Sequence, residues 1–147
     1  MSLDFKNIRT ILVPTDGSEH SFRAAEYAIS VAKMVGANIL VVFVVDEVVL
    51  DQIGKITERE IATRQLNESG KSHVNYVIAG ADKAGVKASS VIAEGRPFER
   101  IVHIAKESNI DLIVMGTYGR RGAERILIGS VAERVIEYAS CPVLVVK

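Results

Sequence analysis

The sequence predicts an α/β protein: a doubly wound, five-stranded parallel sheet with helices on both faces. Three observations predict it. Strand-like and helix-like segments alternate along the 147 residues. The strand-like segments are apolar without a polar alternation, as strands covered on both faces are. No fixed-period repeat, low-complexity tract or linker divides the chain, so residues 1–147 read as one domain.

The elements follow in order. Residues 10–14 form a short β-branched run stopped by the turn signal Pro14-Thr15-Asp16-Gly17. Residues 18–35 turn helical, because Ala24, Ala28, Val31, Ala32 and Val35 share one face and Gly36 ends it. Residues 39–45 are seven consecutive apolar residues, a second buried strand. The stretch 46–85 is the least legible. Residues 46–56 read as loop, and Thr57-Glu58-Arg59-Glu60 has the form of a capping box. Ala62, Leu66, Val74, Val77 and Ala81 line one face of a long helix, in which Gly70 is a candidate break. Residues 86–93 are a third strand, ended by Gly95-Arg96-Pro97. Phe98, Ile101, Val102 and Ala105 mark a short helix, residues 111–115 a fourth strand, 130–139 a last helix and 142–146 a last strand.

Composition removes several functions. Lys plus Arg and Asp plus Glu number 18 each, so the net charge is zero and no broad basic coat for nucleic acid exists. Hydrophobic residues make up 48%, which excludes an acidic disordered chain. Aromatics are 5% and Trp is absent, too few for a single-strand stacking platform. The one cysteine, Cys141, excludes an internal disulfide or multi-cysteine zinc site and reads as an inert, partly buried thiol. Residues 1–10 hold no signal-peptide core, and no run approaches the roughly 20 apolar residues of a membrane helix. The expectation is a soluble, cytoplasmic protein without membrane contact.

In doubly wound sheets, ligands bind outside the carboxyl ends of the strands where strand order reverses. The first strand delivers Asp16, a candidate for a ribose hydroxyl or a magnesium ion. The structural alternative is that Asp16 or Ser18 caps the following helix. The fourth strand delivers residues 115–130, where glycines, arginines and hydroxyls cluster before a helix. Glycines let main-chain N–H groups approach an anion, and Gly129-Ser130 opens a helix whose N-terminus attracts phosphate. Ser130-Val131-Ala132-Glu133 also has the form of a capping box. Residues 116–130 carry a net +2, whereas residues 46–69 carry −3, so the neutral chain sums two unlike regions. From the residues alone, the positive loop is an anion or nucleotide site.

The spacing Gly116, two residues, Gly119, nine residues, Gly129-Ser130 resembles the ATP-binding signature of the universal stress protein family. Ile-Leu-Val-Pro-Thr-Asp-Gly-Ser at the first strand, Asp-Leu-Ile-Val-Met-Gly at the fourth, and the closing Cys-Pro-Val-Leu-Val-Val are similar to the same family. The resemblance implies a Rossmann-like fold of strand order 3-2-1-4-5 and the ATP-binding branch, a nucleotide-holding stress-response or signalling protein. It places Pro14, Thr15 and Asp16 beside the adenosine, Val44 against adenine through its backbone, and Met115 and Gly116 at the nucleoside. Gly119, Arg120, Gly129, Ser130 and Val131 would hold the phosphates. The implied cofactor is ATP, with AMP or ADP as alternatives, and magnesium is a candidate companion at Asp16.

Other chemistries lack their motifs. No Gly-x-x-x-x-Gly-Lys-Ser/Thr loop, no Gly-x-Gly-x-x-Gly after the first strand and no Gly-x-Ser-x-Gly elbow is present. His20, His73 and His103 stand outside metal-ligand spacing. A phospho-receiver would need paired acids after the first strand, which offers Asp16 alone. No general base stands out, so ATP binding is better supported than turnover, with slow hydrolysis left open. A nucleotidyl- or phosphotransferase and a nucleotide-independent adaptor for an unknown protein partner are the alternatives. The last strand is apolar and, in the implied order, at the sheet edge, so a homodimer through that strand is expected.

Overall fold

The apolar runs become strands because both sides of the sheet are covered. The computed structural model describes residues 7–117 and 128–147. Its strands are β1 (Thr10–Pro14), β2 (Asn38–Asp46), β3 (Ala88–Gly95), β4 (Leu112–Gly116) and β5 (Val143–Val146). All pairings are parallel, in the order β3-β2-β1-β4-β5. Ile11, Leu12 and Val13 of β1 and Ile113 and Val114 of β4 are fully buried, which explains the missing polar alternation.

Two helical layers divide these side chains. Helices α1 (Glu19–Val35) and α3 (Ile56–Lys83) cover Ile11, Val13, Val41 and Val114. Helices α4 (Pro97–Glu107) and α5 (Ser130–Tyr138) cover Leu12, Val42, Ile113 and Met115. Ala24, Ala28 and Ala32 make the buried stripe of α1, so that helix lies close to the strands. Gly36 closes α1 in the left-handed conformation, φ 75°, and its N–H donates to Ala32 O. At the far end of the sheet, Asp111 Oδ2 accepts from Arg9 N at 2.9 Å and Thr10 N at 3.0 Å, tying the start of β1 to β4. Among the described residues, no helix is long and apolar enough to cross a membrane.

The least legible stretch differs from its sequence reading in three places. Residues 46–56 are not all loop. Helix α2 (Glu47–Asp51) forms there, with Asp46 Oδ1 accepting from Val48 N at 3.0 Å and Leu50 buried as its anchor. Five residues are too few to show a helical period. The capping box at Thr57 does not form, because α3 starts two residues earlier, at Ile56 behind Lys55, whose side chain makes no cap bond. Gly70 does not break α3. It is buried against Phe43, and a Cβ there would stand 2.9 Å from two ring carbons of that side chain. The glycine admits the ring rather than ending the helix. In addition, β3 starts at Ala88, two residues after the expected start, and continues to Gly95.

Cys141 is half-buried. Burial, and then the Asp111 charge, push its thiol above the ordinary cysteine pKa. A raised pKa lowers the thiolate fraction at neutral pH, as an inert thiol requires.

Two glycines of α3 should respond in opposite ways to alanine. Gly80 has only Ile29 Cδ1 near its virtual Cβ, at 3.5 Å, so Gly80→Ala should stabilise by about 0.5–1 kcal/mol through helix propensity. Gly70→Ala gains the same propensity but overpacks Phe43, a cost of about 1–3 kcal/mol, so its net effect should be destabilising. Urea midpoints of the two variants check the signs.

Candidate functional site

The carboxyl ends of β1, β2 and β4 and the first turn of α5 open on one cleft of about 620 Å³. That volume suits a small-molecule ligand. Pro14, Thr15 and Asp16 enter it from β1, Val44 from β2, Met115 and Gly116 from β4, and Gly129, Ser130 and Val131 from the start of α5. Every sequence-predicted site residue within the described chain therefore lines the same cleft. Gly119 and Arg120 lie outside the described residues.

The turn after β1 is fixed by hydroxyls. Thr15 N donates to Val42 O at 2.8 Å, carrying the strand ladder one residue past Pro14. Thr15 Oγ1 and Ser21 Oγ lie 3.0 Å apart in the interior. Ser21 Oγ donates to Ser18 O at 2.8 Å, so the shared proton comes from Thr15. Ser18 caps α1, its Oγ accepting from Ser21 N at 3.2 Å. Asp16 Oδ1 accepts from Ser18 N at 3.0 Å, an Asx turn that holds its carboxylate at the cleft. The capping role thus falls to Ser18. Gly17 adopts φ +83°, and a Cβ there would overlap the His73 ring, with two ring atoms at 2.6 and 2.7 Å. His73 comes from α3 and sits near Phe22 and Phe43, with ring centroids 5.8 and 5.9 Å away. No sequence spacing links residues 17 and 73.

Strand parity explains Val44. In a parallel sheet, alternate residues direct both main-chain groups to alternate neighbours. Asn38 N donates to Arg9 O and Val42 O accepts from Thr15 N, so even-numbered residues of β2 face β1. Ile39 N donates to Lys87 O, so odd-numbered residues face β3. The register pairs Pro14, the last residue of β1, with Val42. Val44 therefore turns its N–H and C=O toward β1 beyond the end of that strand, into the cleft.

At the other wall, Gly129 rather than Ser130 is the N-cap of α5, with extended φ −69° and ψ 160° and no side-chain cap bond. The capping box at Ser130 is not used. The leading N–H groups of α5 have no intrahelical acceptors and face the cleft at Ser130, Val131 and Ala132. Thr117 stitches the floor: its O accepts from Gly129 N, and its N donates to Val146 O at 3.1 Å. Thr117 is 3% exposed and lines the cleft, yet its Oγ1 has no hydrogen-bond partner among the described residues. Buried hydroxyls are nearly always paired, so this one marks a place for a ligand or water. Gly116 has a packing role as well. A Cβ there would stand 2.9 Å from His20 O, so only glycine lets β4 pass the start of α1.

Sequence reasoning missed Asp46, Arg96, Phe98 and Arg134, which also line the cleft. Arg96 was findable, since Gly95-Arg96-Pro97 ends the third strand on the ligand side. Its guanidinium pairs with Glu47 at 3.6 Å and Glu99 at 4.0 Å. Arg134 lies over the Phe98 ring, 5.0 Å from its centroid. Among the described residues, no three His, Cys, Asp or Glu side chains group as a metal site. A magnesium ion at Asp16 would therefore depend on phosphate oxygens for most of its ligands.

The comparisons with known proteins agree with this architecture. The family model described as universal stress protein family matches residues 7–147. Universal stress protein MJ0531 of Methanocaldococcus jannaschii is 45% identical over 141 residues, covering 95% of this chain and 82% of that protein. The solved structure of MJ0577 from the same organism superimposes with a TM-score of 0.85 at 31% identity, covering 95% of this chain and 96% of that one. The universal stress protein of Archaeoglobus fulgidus in complex with dAMP shares the fold, with a TM-score of 0.67 at 24% identity, covering 95% of this chain and 98% of that one. With a family match from residue 7 to the last residue and a relative at 45% identity, the chain belongs to the universal stress protein family.

Proposed function

We propose that this protein binds an adenine nucleotide, ATP foremost, in the cleft, and acts as a nucleotide-holding stress-response or signalling protein of the ATP-binding branch. One observation carries the reading: a spare main-chain donor–acceptor pair at Val44 faces the uncapped start of α5 across a single cleft. Adenine offers the complementary pair, an exocyclic amino group for the Val44 carbonyl and a ring nitrogen for its N–H. Asp16 stands where a ribose hydroxyl would be met. The phosphates would rest on the N–H groups of Ser130 and Val131, beside Gly129 and the Thr117 hydroxyl, which has no partner among the described residues. The resemblance adds Gly119 and Arg120 to the phosphate end. AMP and ADP present the same base and ribose, and magnesium would join through the phosphates and Asp16. In the family, the A. fulgidus protein in complex with dAMP holds a ligand of this chemical class.

Turnover has weaker support. Phosphoryl transfer needs metal ligands and an oriented nucleophile. Asp16 and Asp46 line the cleft, and each already accepts a main-chain N–H at 3.0 Å. Holding the nucleotide, with slow hydrolysis at most, fits this set better than efficient catalysis.

The same reading includes a homodimer through β5. That strand pairs with β4 on one side and ends the sheet order, and Leu144 on it is 40% exposed. An apolar edge with an open hydrogen-bond ladder favours pairing with a second copy.

Calorimetric titration of the full chain should show micromolar binding of ATP and at least tenfold weaker GTP, because guanine reverses the donor–acceptor edge. Binding of no adenine nucleotide would overturn the proposal. Thr117→Val should weaken ATP by about tenfold or more, the loss of one hydrogen bond to a charged group. The nucleotide-free Tm should stay level or rise, since a methyl replaces an unpaired hydroxyl. Light scattering should give a dimer for the native chain and a monomer for Leu144→Glu.

A further inference from the structure

We infer that Arg134 is the residue that reads how many phosphates the bound nucleotide carries, with Phe98 as its resting platform. The inference rests on the nucleotide reading of the cleft and adds a specificity determinant to it. Arg134 lies four residues after Ser130 on α5, hence on the same helix face and about 6 Å further along the axis. Helical side chains lean toward the N-terminus, so a long side chain at 134 reaches back over the first turn, where the phosphates would sit.

Two arginines line the cleft among the described residues, and their surroundings differ. Arg96 is engaged with Glu47 and Glu99. Arg134 has no carboxylate within 4 Å among the described residues, and its guanidinium rests on the Phe98 ring at 5.0 Å. That contact places the guanidinium against Phe98, which lines the same cleft. It is weaker than a charge-assisted, two-point bond to a phosphate, so a phosphate within reach displaces it. The wall is built to receive an anion for two independent reasons: the uncapped turn of α5 and the buried, unpartnered Thr117 Oγ1. The first phosphate can be satisfied by those main-chain N–H groups alone. Phosphates beyond it extend past the turn and need a cation, and among the described arginines of the cleft Arg134 is the one not already paired with a carboxylate.

The measurement is the ratio of ATP to AMP affinity by calorimetry, on the full chain, for the native protein, Arg134→Gln, Arg134→Lys and Phe98→Leu. Arg134→Gln should lower that ratio by about fivefold, with AMP affinity changed less than twofold. Arg134→Lys should keep part of the ratio, since it retains the charge but not the planar fork. Phe98→Leu should fall between native and Arg134→Gln. Raising salt should weaken ATP less in Arg134→Gln than in the native chain. An unchanged ratio in Arg134→Gln, or equal losses for ATP and AMP, would overturn the role of Arg134 while leaving the nucleotide site standing. Native protein that binds neither nucleotide would overturn the site and this role together.

Discussion

The cleft depends on the early end of β1. That strand has five residues and its neighbour β2 has nine. Pro14 pairs with Val42, Thr15 closes one last ladder bond, and Gly17 then turns the chain away at φ +83°. The space this turn needs is shaped by His73, whose ring lies where a side chain on Gly17 would go. Beyond Val42, β2 is paired only with β3, in register through Asp46 and Gly95. Its β1-facing main-chain groups are left at the mouth of the sheet. A longer β1 would satisfy Val44 and fill the cleft floor. The cleft is thus a consequence of unequal strand lengths at the point where the order reverses.

A site made this way relies on the main chain more than on charged side chains. Val44 contributes an N–H and a C=O, and α5 contributes the donors of its first turn. Such groups are uncharged, so the proposed phosphate site is compatible with a chain whose acids and bases are equal in number. It also separates the glycines by role. Gly129 keeps the start of α5 free of a side-chain cap. Gly17, Gly70 and Gly116 answer to neighbours: the His73 ring, the Phe43 ring and the His20 carbonyl. Gly116 belongs to the phosphate signature by spacing, yet its position beside α1 would demand glycine without any ligand.

Much of this was legible in the sequence because its causes are local. Burial on both faces removes polar alternation, so β1, β2 and β4 stand out as apolar runs. The helical faces of α1, α4 and α5 carry their own period. The rule that ligands meet the carboxyl ends of strands pointed to Asp16 and to residues 115–130, and the family resemblance supplied the remaining cleft-lining residues, Val44 among them. What escaped depends on distant pairs. Gly70 looked like a helix breaker because Phe43, its reason, is 27 positions away. The Ser130 motif left a cap and an anion-binding helix start both open, because the two share residue types. The difference lies in the backbone of Gly129, which already occupies the cap position. Phe98 and Arg134 come from different helices, and only their packing shows that they form one wall.

Thr117 ties the site to the edge of the sheet. Its carbonyl holds Gly129, the N-cap of α5, and its N–H is held by Val146, at the end of the ladder between β4 and β5. The two bonds belong to one residue, so the placement of the α5 start and the register of β5 are set against the same short piece of backbone. A displacement of Gly129 has to be absorbed within Thr117 or passed on to Val146. The buried side chain leaves little room for the first, since Thr117 is 3% exposed. Tight packing transmits such shifts rather than damping them. The open edge at Leu144 and the α5 end of the cleft are therefore tied through one residue, although they face different surroundings.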